Sequence, residues 1–366
     1  MGVTKVAAPD KRAKTRDKTR AFIYRAGVRV TGTILACDAS AGSDLIFLSH
    51  ADALDARAAR ALPRARHGRR QILTTDTTLT LLGAPGARLR AHALLAGMGR
   101  PFSLGELRLE LFPSGQGPGA ASLLCEIGGG TNDIRRIVYA GVIGPGDSPA
   151  VRPADALCLD ATFGARRFAF PPLEEALAEI RRLVQGAIAQ GRAPLVLIEP
   201  TPSALALART LAAAGVPVRA PRVFLQLAAA HARAGLAVPP LQRWNAKPRA
   251  GEALLWLPRA RSATGLGRLE APLAILASGR AADPAEVARA GADHGVALAD
   301  RADFASLLRY IAATGAREVA LLNAPGEELA EALAARGVEA YPLGPPRQIA
   351  LFSRIPEPSA HIVSAG

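Results

Sequence analysis

"LIFLSHADALDA", residues 45–56, is the stretch on which the reading of the fold turns. Four apolar residues, Leu45-Ile46-Phe47-Leu48, have the make-up of a buried strand and stop abruptly at Ser49-His50, with acids following at Asp52 and Asp55. Histidine and carboxylates at a strand end are metal-ligand types. They are equally the types found at a helix cap, with Asp52 preceding the stretch Leu54 to Leu62. Taken alone, these residues fit a metal site, an altered one or an ordinary strand end. Ser49, His50 and Asp52 also have the residue types of a nucleophilic relay, but neighbours on a strand point to opposite faces and are not expected to form one.

Working outward, the chain changes texture several times. Residues 1–20 hold Lys5, Lys11, Arg12, Lys14, Arg16, Lys18 and Arg20 against two acids, a basic arm expected to be disordered when free. From Ala21 to Pro171 short strands are expected at Phe22–Tyr24, Val28–Thr33, Leu45–Leu48, Gln71–Thr74, Leu107–Phe112, Ser122–Glu126 and Arg136–Tyr139, separated by glycine-rich turns. "IGGGTND", residues 127–133, reads as a hairpin turn and not as a phosphate loop.

A helical period begins at Pro172, with Leu173, Ala176, Leu177, Ile180, Leu183 and Val184 on one face. Strands and helices then alternate. Strands are expected at Pro194–Ile198, Val218, Val223–Leu225, Ala253–Leu257 and Pro272–Ala277, and helices at Ser203–Ala214 and Leu227–Arg233, as in a parallel α/β unit over residues 172–290. Residues 291–366 return to a helix at Asp303–Thr314, a strand at Glu318–Leu322, a helix at Glu327–Ala335 and a strand at Glu339–Tyr341. No internal repeat is present.

Composition bounds the function class. The chain has 366 residues, enough for one large domain or two ordinary ones, and its net charge of +14 points to a polyanionic partner. No apolar run reaches the roughly 18 residues that span a bilayer and no secretory h-region opens the chain, so the expected location is the cytoplasm, with no membrane partner. Cys37, Cys125 and Cys158 form no CxxC pair and are expected to be buried as free thiols. GxSxG, Walker A and GxGxxG contexts are absent from the sequence.

Several segments taken in order carry a resemblance: "LIFLSHADALDA", "FPSGQGPGAASLLCEI" (112–127), "IVYAGVIG" (137–144), "DALCLDATFGARRFAFP" (155–171) and "LADRADFASLLRYIAATGAREVALLNAPGE" (298–327). Together they resemble the metallo-β-lactamase fold nucleases with a β-CASP insertion, and within them the ligase-associated DNA exonuclease group. "DATFG" and "IAATGA" are the most specific of the matches. The resemblance implies an α/β protein: an αββα sandwich over residues 21–171 and 291–366, with a β-CASP-like cap inserted at 172–290. It also implies two zinc ions that activate water to hydrolyse a phosphodiester.

The ligand positions implied by that resemblance do not hold ligands. His50 stands at the first histidine, but Leu54 and Asp55 stand where the motif ends in an acid and a histidine. Gln116, Val142, Arg301 and Asn323 occupy the other metal positions, and only His50 and Asp160 keep their type. No catalytic residue and no metal or other cofactor is therefore expected, with His50, Asp52, Asp55 and Asp160 left as vestiges. The alternative is a partial site at His50, Asp55 and Asp160, helped by Asp52, holding zinc, manganese or magnesium.

Nucleic-acid contacts are expected at Arg64, Arg66, Arg69, Arg70, Arg166, Arg167 and Arg301, and Arg301 is also placed to neutralise Asp160 or Asp303. The expected function is that of a catalytically inactive, nuclease-like protein that binds nucleic acid, DNA ahead of RNA, or scaffolds a DNA-repair or RNA-processing complex with partner proteins. Two alternatives stay open: an active metal-dependent phosphodiesterase or exonuclease with a rebuilt site, and a protein-interaction scaffold without nucleic acid.

Overall fold

The computed structural model describes residues 20–53, 70–128, 134–245, 249–260, 266–267, 269 and 271–345. The basic arm up to residue 19 and the basic run around Arg64, Arg66 and Arg69 lie outside them, as does Asp55.

The fold is mixed α/β with three sheets. The first is built from β1 (Phe22–Tyr24), β2 (Val28–Val30), β3 (Leu35–Cys37), β4 (Leu45–Phe47), β5 (Gln71–Thr74) and, after helices α1 (Asp76–Leu81) and α2 (Ala84–Leu89), β6 (Ala93–Leu95), in spatial order β1-β2-β3-β4-β5-β6. The second takes β7 (Phe102–Leu104), β8 (Leu107–Pro113), β9 (Ala121–Ile127), β10 (Arg135–Gly141) and β11 (Ala156–Asp160) from the first part of the chain.

The chain then leaves the second sheet for a wholly parallel one. Helix α3 (Leu173–Ala189), β12 (Pro194–Leu197), α4 (Pro202–Ala213), β13 (Val218–Ala220), α5 (Arg222–Arg233), β14 (Leu241–Arg243), β15 (Ala253–Trp256), β16 (Leu273–Ala277), α6 (Pro284–Arg289) and β17 (His294–Val296) make a six-stranded sheet of order β14-β13-β15-β12-β16-β17. Helix α7 (Phe304–Thr314), β18 (Glu318–Leu322), α8 (Glu328–Ala334) and β19 (Glu339–Leu343) return to the second sheet, whose order is β19-β18-β11-β10-β9-β8-β7.

Alternation along the strands sorts the side chains into layers. Leu107, Leu109, Leu111, Leu123, Cys125, Tyr139 and Cys158 face Phe22, Leu35, Cys37, Leu45 and Phe47, closing two sheets into one core. The opposite face of the second sheet, with Val138, Leu157, Leu159, Val319 and Leu321, packs on Phe304, Leu307 and Ile311 of α7 and Leu329 and Leu333 of α8. Ile46, Leu48 and Ile72 pack on Leu79 and Leu89 of α1 and α2. The order is thus helix, sheet, sheet, helix. Each fully buried Phe or Leu contributes roughly 1.5–3 kcal/mol.

The parallel sheet has its own core, in which Ile180, Val184, Leu207, Leu211 and Phe224 cover Val196, Leu255 and Ile275. Its strands are apolar on both faces, since Leu195, Leu197, Leu254, Trp256 and Leu276 pack on the other side.

One expected strand is a helix. Val223–Leu225 lies in the first turn of α5, which begins after Pro221. A β-branched residue beside two large apolar ones looks like strand, but burial follows Phe224, Ala228 and His231, the helical period. The expectation that β2 runs to Thr33 also fails, because the chain turns after Val30, where Thr33 donates its hydroxyl to the Val30 carbonyl.

Candidate functional site

The site collects at the C-terminal ends of β3, β4, β11 and β18, where parallel pairing brings chain ends level. β3 and β4 pair Cys37 with Phe47, so Asp38 and the Leu48-Ser49-His50 segment emerge side by side. β11 and β18 pair Asp160 with Leu322, which sets Asn323 next to Asp160. Asp38 and Asn323 both take positive φ, 46° and 54°, so each turns sharply as its strand ends.

At the first cluster Asp38 accepts three hydrogen bonds. Ser49 N donates to Oδ1 at 2.8 Å, and Ser49 Oγ and Tyr139 OH donate to Oδ2 at 2.5 and 2.8 Å. Burial and the neighbouring Asp38 push the Tyr139 phenol well up, which keeps it a donor. Ser49 Oγ also lies 2.8 Å from His50 Nδ1. Ser49 has one hydroxyl proton and gives it to the carboxylate, so His50 must donate through Nδ1–H. Its Nε2 therefore carries the lone pair. Burial lowers the His50 pKa, against the upward pull of Asp38, Asp52 and Asp160 and with the help of Arg301, so the ring is neutral near neutral pH.

This corrects the expectation that Ser49 and His50 point apart. β4 ends at Phe47, so strand alternation no longer governs the next residues. The acid in contact is Asp38, which sequence reasoning did not single out, and not Asp52. Asp52 is exposed and lines the space beside His50; the helix it was expected to cap lies outside the described residues.

At the second cluster Arg301 reaches Asp160. Its NH1 lies 2.9 Å from Asp160 Oδ1 and donates to Thr162 Oγ1 at 3.3 Å. Asn323 Nδ2 donates to Asp160 Oδ2 at 2.7 Å, and Thr162 N to Oδ1 at 3.2 Å. Asp160 is 7% exposed, so these donors supply what a buried carboxylate requires. Asp303, the other acid weighed as a partner for Arg301, instead accepts from Ser306 N and Phe170 N at 2.8 and 3.1 Å.

The zinc ions implied by the sequence resemblance do not fit this donor set. A guanidinium and an amide sit on Asp160, the side chain beside them is the buried Val142, and among the described residues no three His, Cys, Asp or Glu side chains converge. Asp55, part of the partial site weighed from sequence, lies outside the described residues.

Two clefts open between the sandwich and the parallel-sheet unit. One, about 500 Å³, is lined by His50, Asp52, Glu199, Arg259, Asp300 and Arg301 among others. The second, about 740 Å³, shares Gln116, Ser203 and Asp300 with it and adds Asp147, Asp303 and Arg309. Asp300 ties the units together: Ser203 donates to it through both its backbone N, at 3.0 Å, and its hydroxyl. Burial pushes the Asp300 carboxyl up, opposed by those bonds.

The expected nucleic-acid contacts are scattered. Arg166 and Arg167 are exposed after β11, their guanidinium carbons 5.2 Å from the ring centre of Phe304 and 4.7 Å from that of Phe168, and Arg167 lies 3.7 Å from Asp283. Arg70 donates through Nε to the Ser43 carbonyl at 2.9 Å. Arg64, Arg66 and Arg69 lie outside the described residues. Cys37, Cys125 and Cys158 are buried free thiols, as expected. Among the described residues no helix is long and apolar enough to cross a membrane.

No family model matches the chain. Over 294 residues, 79% of this chain, it is 26% identical to a protein named "Probable DNA ligase" from Opitutus terrae, of which the match spans 28%. Among solved structures, it is similar to the crystal structure of a protein of unknown function from Enterococcus faecalis V583, with a TM-score of 0.53, 14% identity, and 81% of this chain and 78% of that one covered. That likeness is one of fold.

Proposed function

We propose that the chain is a metallo-β-lactamase-type scaffold with a β-CASP-like insertion that has lost its metal chemistry and acts by binding nucleic acid, DNA ahead of RNA, within a repair or processing complex. The observation that carries this reading is the pairing of Arg301 and Asn323 with Asp160, which uses the surviving carboxylate for an internal ion pair. The helix-sheet-sheet-helix order with a parallel α/β unit placed between β11 and β18 agrees with the architecture the resemblance implies. The net charge of +14 and the name of the Opitutus relative favour a DNA partner.

Arg166 and Arg167 present exposed guanidinium groups at the junction with the inserted unit, each steadied over an aromatic ring, and are assigned to phosphate contacts. The test is fluorescence anisotropy with labelled DNA and RNA oligonucleotides over a salt series, beside a cleavage assay with zinc, manganese or magnesium. Expected are salt-sensitive binding, no cleavage, and a salt slope reduced by about one for each of Arg166→Ala and Arg167→Ala. Stoichiometric metal in the purified protein, with cleavage abolished by His50→Ala, would overturn the reading.

A further inference from the structure

The clefts between the two units run against the charge of the whole chain. In the 500 Å³ cleft Asp52, Glu199 and Asp300 face Arg259 and Arg301, and Arg301 is already committed to Asp160 from the neighbouring cluster. Arg259 lies 3.6 Å from Glu199 and is itself exposed. The adjoining cleft has Asp147, Asp300 and Asp303 against Arg309 alone. A phosphate placed here meets more carboxylates than free cations in a partly desolvated space, where like-charge repulsion is less screened than in bulk water.

His50 gives the cleft a specific demand. It is 8% exposed, it lines the cleft wall, and its Nδ1–H is fixed on Ser49, so Nε2 is an acceptor without a hydrogen-bond partner among the described residues. A lone pair of this kind, open to the cleft on an otherwise buried ring, is satisfied by a donor and opposed by a phosphate oxygen. Asp52, exposed on the same wall, supplies a charged acceptor beside it.

We infer that this cleft is a binding site for a primary ammonium group, with His50 Nε2 and the Asp52 carboxylate as its acceptors. The ammonium has three N–H donors and a positive charge, which matches a neutral imidazole and a carboxylate where a phosphate matches neither. Such a group is carried by a free polyamine or by a lysine side chain of a partner. The volume suits a small ligand or one side chain with its flanking backbone. The inference is independent of nucleic-acid binding, which is assigned to exposed arginines outside this wall.

The experiment is calorimetric titration of the full chain, in low salt with chelator present, using spermidine, Nα-acetyl-lysine amide and inorganic phosphate as separate probes. Expected is saturable one-to-one binding of an ammonium probe, weakened at least tenfold by His50→Ala and by Asp52→Asn and unchanged by Asp44→Asn. Asp52 is exposed, so Asp52→Asn reports binding without a folding cost. Preference for spermidine assigns the site to polyamines, and preference for the lysine amide to a partner's side chain. No saturable binding, binding indifferent to both variants, or phosphate binding lost in His50→Ala would overturn the inference. Because DNA binding is measured separately, failure here leaves that reading standing, and the reverse holds equally.

Discussion

Asp160 holds a buried charge on three donors, Arg301, Asn323 and Thr162 N, and each donor lost leaves part of that charge unpaired. Arg301→Gln is expected to cost roughly 1–3 kcal/mol, below the usual figure for breaking a buried pair because the arginine side chain is 39% exposed. Adding Asp160→Asn removes the orphaned charge, so the double variant should cost less than the two single costs added; urea denaturation of all four proteins measures the coupling. His50 supplies a pH dependence. Its folded pKa is lowered, chiefly by burial and against Asp38, Asp52 and Asp160, so on acidification the unfolded chain takes up this proton first, near pH 6.5. Its contribution is complete above about pH 6.5 and is lost as pH falls toward the lower folded value, so His50→Gln should lose less stability between about pH 7 and 5 than the parent. At this scale the sequence exposes residue types but not partners. Asp160 and Arg301 are legible because each sits in a recognisable motif, whereas Asp38 precedes Ser49 in an unremarkable turn and is selected only by a positive φ and strand pairing.

Helix α7 shows what makes an element legible. Phe304, Leu307, Tyr310, Ile311 and Thr314 are buried at helical spacing, Asp303 caps the start by accepting from Ser306 N, and Gly315 ends it at φ 69°. All three signals lie within a dozen residues of sequence, and the helix read from them differs from the observed one only by including its cap. Asp303 does more than cap, since its second oxygen accepts from Phe170 N and holds the chain as it leaves the sandwich. Asp303→Ala should therefore cost roughly 1.5–3 kcal/mol, beyond a cap's usual cost of about 1, while Asp303→Asn retains an acceptor and should cost less; thermal denaturation of the two variants checks the order. Elements without such signals escape a sequence reading. β3, β6 and β7 are three residues each with no β-branched residue, unlike the equally short but legible β1, β2 and β4, and α1 and α2, at six residues, are too short for a helical period to register. They are fixed by their neighbours: Leu79 and Leu89 are buried because the sheet offers Ile46 and Ile72, not because the helices are strong by themselves.

At the scale of the molecule, charge and packing between the units come from residues far apart in the chain. The net charge of +14 is legible at once, but the acidic wall of the cleft is assembled from Asp52, Glu199 and Asp300, and only the fold brings them together. The seam between the units joins a local cluster, in which Phe163 packs edge to face with Phe168 and with Phe170 at centroid distances of 5.0 Å, to a residue from far along the chain. Gly279, in the turn after β16, fits against this cluster because it has no Cβ: one built there would lie 2.6 Å from Phe163 Cζ and 2.9 Å from Phe170 Cζ. Gly279→Ala forces the aromatic cluster to shift, at roughly 1–3 kcal/mol, and displaces the chain that follows Asp160. Gly186 is the counter-case. It lies within α3, and a Cβ there meets nothing within 4 Å, so Gly186→Ala should gain roughly 0.5–1 kcal/mol from helix propensity. Opposite signs for the same chemical change, read as melting temperatures of the two variants against the parent, would show that the seam is packed rather than merely adjacent. Equal small shifts would mean the units touch without depending on each other. Because Phe163 also lines the cleft beside His50, the Gly279→Ala variant should additionally weaken ammonium binding, while Gly186→Ala leaves it unchanged.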